Sequence, residues 1–198
     1  MSRFYLASAS PRRSALLRDW GVSHECLPSR IPEAIRLDID PALVAQTLAV
    51  RKLMAALTRE GPARRPCFGL GADTLVVLEG EVQGKPSSPD DAVTMLMRES
   101  GRKLQVITGV AVGRFLEDGD EIEKGFEVST VVMRSFSRDE ALAYCATGEP
   151  FDKAGAFAIQ GKGRALIESF SGSHSNIVGL PRELTLALLR RVGHPGPS

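Results

Sequence analysis

The 198-residue chain carries a formal net charge of +1, with 43% hydrophobic and 25% charged residues. That is ordinary for a globular protein with a sizeable core, and it excludes a global field that would draw nucleic acid or a membrane surface. Three widely spaced cysteines in apolar contexts, Cys26, Cys67 and Cys145, predict buried free thiols in a reducing cytoplasm rather than a disulfide framework or a metal site. Only four apolar residues separate Arg3 from Ser8, and no apolar run reaches a membrane span, so neither a signal peptide nor a transmembrane helix is expected.

The apolar run 4–7 reads as a buried strand. Ser8-Ala9-Ser10-Pro11-Arg12-Arg13 follows, and then a helical pattern as far as Trp20. Ser10 suits the N-cap, Pro11 the first helical position and Gly21 the stop. The turn sets two hydroxyls and two guanidiniums at a helix N-terminus, where backbone N–H groups and forked Arg donors fit phosphate oxygens. The plain alternative is a capped helix with two solvated arginines. A short second strand is predicted within 22–27. The proline-bounded loop after it leaves Glu33 open either to a ligand or simply to water. Asp40 and Pro41 open a long helix with a broad apolar face, in which Arg51 and Lys52 read as part of the wet side. Residues 58–66 read as a loop.

The run 67–78 is apolar except for Gly71-Ala72-Asp73-Thr74. A carboxylate inside an apolar strand is costly unless paired or metal-bound, and Asp is a poor strand former, so Asp73 contradicts its surroundings in the way functional residues do. A bulge with Asp73 bonding its own backbone is the structural alternative. Gly84-Lys85-Pro86 projects a lysine from a constrained loop. Asp90 is expected to cap a helix ending at Gly101, and 103–112 with 123–133 form a hairpin around Asp118-Gly119. Ser137 and Glu140 match a capping box, which predicts a helix to about Thr147.

Residues 152–163 are rich in glycine and charge, but they fail the phosphate-loop pattern: counting from Gly155, Gln160 stands where the second glycine belongs, and Gly163 replaces the hydroxyl residue. A strand at 165–170, a polar loop at 171–176 holding His174, an amphipathic helix at 181–192 and a frayed tail at 194–198 complete the chain. Alternating strands and helices followed by a hairpin argue for an α/β fold with a mixed sheet. Three polar constellations, Ser8 to Arg13, Asp73 with Lys85, and Asp152 to Gln160, suggest an enzyme acting on a phosphorylated small molecule with a divalent cation.

Taken together, these stretches resemble the Maf family of nucleoside triphosphate pyrophosphatases. The matching residues are Leu6-Ala7-Ser8 with Ser10-Pro11-Arg12-Arg13, Gly71-Ala72-Asp73-Thr74, Gly84-Lys85-Pro86, Thr108-Gly109-Val110, Asp152-Lys153-Ala154-Gly155, Ile159-Gln160-Gly161 and Val178-Gly179-Leu180-Pro181. The resemblance spans nearly the whole chain as a single domain, 1–198. It implies a mixed α/β fold with two lobes around a deep cleft, often dimeric, that hydrolyses a nucleoside triphosphate to the monophosphate and pyrophosphate with Mg²⁺ or Mn²⁺. It further implies Asp73 as general base, and Ser8, Arg12, Arg13, Glu33, Lys52, Thr74, Lys85 and Gln160 as substrate contacts. Arg12, Thr74 and Gln160 would set specificity, with Glu33 and Asp73 near the metal. Arg12, Lys52 and Gln160 resemble the branch acting on dTTP and UTP rather than the one acting on 7-methyl-GTP. Pro32, where an acid often precedes the Glu33 position, and His174, in place of a common Tyr, depart from the family pattern. A cell-division regulator without required catalysis is the reading from another functional class.

Overall fold

The computed structural model describes residues 3–29, 31, 39–60 and 65–196. Seven strands pair in one mixed sheet: β1 (Arg3–Leu6), β2 (Glu25–Cys26), β3 (Cys67–Leu78), β4 (Glu81–Gln83), β5 (Lys103–Phe115), β6 (Asp120–Met133) and β7 (Ile167–Ser171). Their order is β2-β1-β3-β5-β6-β7, with β4 paired to β3. β1 is parallel to β2 and β3, whereas β3–β4 and β6–β7 are antiparallel. The α-helices are α1 (Pro11–Asp19), α2 (Pro41–Glu60), α3 (Pro89–Glu99), α4 (Arg138–Cys145), α5 (His174–Val178) and α6 (Arg182–Arg191). The expected α/β class with a mixed sheet and flanking helices is therefore observed. No described helix is long and apolar enough to cross a membrane.

The chain divides into two compact units. The first comprises Met1–Asp73, Thr108–Glu127 and Gly179–Ser198; the second comprises Thr74–Ile107 and Val128–Val178. In the first unit, strand alternation sorts side chains onto two faces. Phe4, Leu6, Phe68, Leu70, Val110 and Val112 share one core with Leu17 of α1 and Leu188 and Leu189 of α6. Tyr5, Cys67, Ala111 and Phe115 share another with Ala49 and Leu53 of α2. Glycines let α2 approach closely: a Cβ on Gly71 would stand 2.3 Å from the Ala49 carbonyl oxygen, and one on Gly109 would stand 2.3 Å from that of Ala45. Because these obstacles are helix backbone, no side-chain rotation can relieve them.

In the second unit, α3 packs Ala92, Val93 and Leu96 into the interior, and α4 packs Ala141 and Tyr144. The capping box predicted at Ser137 and Glu140 is formed in both directions. Glu99, the last residue of α3, is 0% exposed, and neither carboxyl oxygen has a hydrogen-bond partner among the described residues. Burial pushes its pKa well up and favours the neutral acid.

Several expectations are corrected. The cap of α3 is Ser88 rather than Asp90, because Pro89 takes the first helical position and the Ser88 hydroxyl accepts from the Asp91 N–H at 3.1 Å. Cys26 is exposed, since β2 has only two residues and lies at the end of the strand order, whereas Cys67 and Cys145 are buried free thiols as expected. Part of the 171–176 stretch is strand and helix, with Ser171 closing β7 and His174 opening α5. His174 is exposed there, its ring centroid 5.8 Å from that of Phe170. The tail is not frayed at His194, whose ring lies edge-on to Phe4 and Phe68 with centroids 5.0 and 4.9 Å apart; Pro197 and Ser198 lie outside the described residues.

The packing of α2 on bare strand backbone is directly testable. Gly71→Ala should lower stability by about 1–3 kcal/mol, the usual cost of overpacking. Urea unfolding measures this, and an unchanged midpoint would mean that α2 does not press on β3 at that point.

Candidate active site

The ladder of small residues on β3 leads to its one charged group. Positions 69, 71 and 73 alternate onto the face beneath α2. Leu53 of α2 lies over Gly69 and Gly71. The preceding helix residue, Lys52, reaches the next position along the strand, and its Nζ donates to Asp73 Oδ1. Lys52 is 8% exposed and Asp73 5%. The wet-side reading of Lys52 is thus wrong, because α2 buries far more of its circumference than a one-sided surface helix. Asp73 sits within strand β3, and its burial is offset by a cation. Removing one partner from a buried ion pair is strongly destabilising.

The Ser8–Arg13 turn forms as predicted. Ser10 caps α1 through the Arg13 N–H at 3.4 Å, and Pro11 takes the first helical position. Ser8 is buried, and its Oγ accepts from the Ser10 N–H at 3.1 Å and from Arg13 Nη1 at 3.3 Å. Arg13 Nε also donates to the Gly179 carbonyl at 2.8 Å, so two fixed acceptors orient its guanidinium. Arg12 is half-buried beside it. The first unit therefore contains four of the predicted residues, Ser8, Arg12, Arg13 and Lys52, together with Asp73. Glu33 and Pro32 lie outside the described residues.

Thr74, Lys85 and Gln160 belong to the second unit. Thr74 is half-buried on β3, and by alternation it faces away from Asp73. Lys85 is exposed in the loop after β4, which is pinned where the Gly155 N–H donates to the Gly84 carbonyl at 3.0 Å. Gln160 is exposed and begins a 3₁₀ turn, Gly161–Leu166. Asp152 is ion-paired with Lys153.

Sequence reasoning missed what organises the turn at Gln160. Glu149, just after α4, places its carboxylate inside the turn. Oε2 accepts from the Lys162 N–H at 2.9 Å, and Oε1 accepts from the Gly163 N–H at 3.0 Å and from the Tyr144 hydroxyl at 3.1 Å. A Cβ on Gly161, where φ is +70°, would stand 2.6 Å from Oε2. One on Gly163 would stand 2.6 Å from both the Ala158 carbonyl oxygen and the Tyr144 hydroxyl. Burial pushes the Glu149 carboxyl up, but the N–H groups of Gly163 and Lys162, the Tyr144 hydroxyl and Lys153 outweigh it and hold it below its ordinary value. Tyr144 is pushed up by burial and by the neighbouring Glu149 charge. The signal was the failed phosphate-loop pattern itself: the glycine-rich turn does bind an anion, but the anion is the chain's own.

Residues 3–192 match the family described as Maf-like protein. The chain belongs to the Maf family. It is 44% identical over 196 residues to the dTTP/UTP pyrophosphatase of Symbiobacterium thermophilum, covering 98% of this chain and 96% of the relative. It is 38% identical over 195 residues to the protein of that name from Caldicellulosiruptor saccharolyticus, with the same coverage. To the one from Methylobacillus flagellatus it is 42% identical over 196 residues, covering 98% and 94%.

In this Maf chain the family motifs have local physical reasons. Gly71 and Gly109 admit α2, and Gly179 turns at a φ of +120° to offer its carbonyl to Arg13. Among the described residues, no group of three or more His, Cys, Asp or Glu side chains is gathered to hold a metal. The buried carboxylate of Asp73 still fits a Mg²⁺ delivered on a nucleotide, because Mg²⁺ commonly takes one or two carboxylates together with substrate phosphates.

Lys52→Met should cost about 3–5 kcal/mol of stability, as expected when one partner leaves a buried ion pair. Adding Asp73→Asn should recover part of that loss. Urea denaturation of the single and double variants checks both statements, and a single variant as stable as wild type would show that the pair does not compensate Asp73.

Proposed function

We infer that the chain is a nucleotide pyrophosphatase that hydrolyses dTTP and UTP to the monophosphate and pyrophosphate. One observation carries this reading: a buried Asp73–Lys52 pair and an oriented Arg13 turn within one compact unit, in a chain that aligns end to end with relatives named for that activity. Water attacks the α-phosphorus. A P–O bond forms from the water oxygen while the bond from that phosphorus to the bridging oxygen breaks, and pyrophosphate leaves. Asp73 takes the water's proton as general base. Ser8, Arg12, Arg13, Lys52 and Lys85 contact the triphosphate, where forked guanidinium donors and ammonium groups stabilise the charge that builds on the leaving group. Thr74 and Gln160 contact the nucleoside, and Arg12, Thr74 and Gln160 set specificity.

A divalent cation, Mg²⁺ or Mn²⁺, held by Asp73 and Glu33 with the phosphates, would supply Lewis-acid charge and lower the pKa of bound water. Gln160 suits a uracil or thymine edge, since a carboxamide both donates and accepts, matching an N3–H beside a carbonyl. The two-lobed arrangement around a cleft, action as one Maf-type domain, a homodimeric state and a cytoplasmic setting consistent with the free thiols all belong to the same reading.

A nucleotide panel with pyrophosphate detection tests it. With Mg²⁺ or Mn²⁺, UTP and dTTP should release pyrophosphate as first product, and Asp73→Asn should lower kcat by about 10²- to 10⁴-fold, the usual range for losing a general base. Orthophosphate first would place attack at the γ-phosphorus. A preference for 7-methyl-GTP would move the chain to the other branch, and absence of turnover on every nucleotide would favour the regulator.

A further inference from the structure

The second unit contains a receptor for an anion that is filled from within. In many nucleotide-binding folds, successive backbone N–H groups of a glycine-rich turn cradle phosphate. Here two amides of the turn from Gln160 to Gly163, those of Lys162 and Gly163, donate to Glu149. Both carboxylate oxygens are used, and the Tyr144 hydroxyl adds a third donor on Oε1. Lys153 Nζ donates to the Glu149 carbonyl at 3.2 Å, and the Glu149 N–H donates to Thr147 Oγ1 at 3.3 Å, so the residue is fixed at both its backbone and its side chain. Tyr144 is buried on α4, which ties the turn to a rigid helix. Gln160 is the residue immediately before the clamp. Its own side chain makes no hydrogen bond among the described residues and is exposed, whereas Ile159 before it is buried. The backbone on which Gln160 stands is therefore held from one side by an apolar anchor and from the other by the Glu149 carboxylate.

We propose that Glu149 is a positioning residue for base selection, which it exerts by fixing the 160–163 turn and hence the direction in which Gln160 presents its carboxamide. The inference rests on Gln160 reading the base, and it adds what makes that reading selective. A flexible side chain on a loose turn would satisfy uracil and cytosine by moving, because its amide can offer either end. Discrimination requires that reorientation be costly. A carboxylate that receives two turn amides imposes that cost, whereas a carboxamide in its place cannot, since it has one acceptor and would set an N–H group against one of the turn's own.

The test is kcat/KM for UTP, dTTP and CTP with wild type, Glu149→Gln, Gln160→Ala, the double variant and Tyr144→Phe, each checked for folding by its thermal melt. The expected result is that Glu149→Gln lowers the UTP to CTP ratio about tenfold, the worth of one well-made hydrogen bond, mostly through a rise in KM for UTP. In the Gln160→Ala background the same change should leave the ratio where Gln160→Ala has already put it, because residues acting through one contact are not additive. Tyr144→Phe, which removes one of the three donors, should lower the ratio in the same direction and by less, which keeps the proposal testable if Glu149→Gln folds poorly. A ratio flattened by Gln160→Ala but untouched by Glu149→Gln and Tyr144→Phe would overturn the positioning role and leave the base reading intact. A ratio lowered by Glu149→Gln but untouched by Gln160→Ala would overturn both, whereas independent, additive losses in the double variant would overturn the positioning role alone.

Discussion

The close approach of α2 to the backbones of β3 and β5 is the constraint on which the candidate site depends. With a side chain at position 71 or 109 the helix would stand off, and Lys52 would no longer meet Asp73. The pairing is thus set by what is missing from the strands as much as by the two charges. Hydrophobic burial supplies the force, through Leu53 and Ala49 against Tyr5, Ala111 and Phe115. The glycines decide how deep that force can drive the helix. An ion pair formed in this way is specified by backbone contact, so its geometry does not rely on the flexibility of a long lysine side chain.

The elements that were legible in the sequence are those whose signals are local. Ser10-Pro11 and the Ser137–Glu140 box use short-range hydrogen bonds that follow from spacing alone, and both form. The strand at Cys67–Leu78 was legible as an apolar run, and its internal Asp73 was legible as a contradiction. Lys52 was misread because a charged pair in a helix reads as solvent-facing unless the partner 21 residues away is known. Ser88 was passed over for Asp90 because two good capping residues compete when Pro89 stands between them. His194 was read as frayed because nothing in a short polar tail announces a slot between Phe4 and Phe68. The clamp on the 160–163 turn was out of reach for the same reason as Lys52: its carboxylate lies 13 and 14 residues from the amides it receives.

The two polar centres illustrate opposite ways of using a buried charge. Asp73 is ion-paired with Lys52 on a helix, and in the proposed reaction it must accept a proton. Glu149 is held chiefly by neutral donors, the Lys162 and Gly163 N–H groups and the Tyr144 hydroxyl, with Lys153 adding a positive charge nearby, and together they leave it with a lowered proton affinity. The second arrangement keeps the carboxylate ionised and its turn rigid. Glu99 is a third case, in which no partner is supplied among the described residues and the neutral acid is favoured instead.

The first unit is discontinuous along the chain, and this bears on how it is made. Its core joins Phe4, Leu6 and Leu17 to Leu180, Leu186, Leu188, Leu189 and Val192, and Arg13 takes an acceptor from Gly179. A ribosome that has delivered the chain as far as Val178 has therefore made the seven described strands of the sheet but not the helix that seals one face of this unit. During that interval the face carrying Phe68, Leu70, Val110 and Val112 has no cover from α6, and the nascent chain is most in need of protection from its neighbours. Completion of α6 closes the apolar face and, in the same event, fixes the guanidinium of a turn made 166 residues before its acceptor.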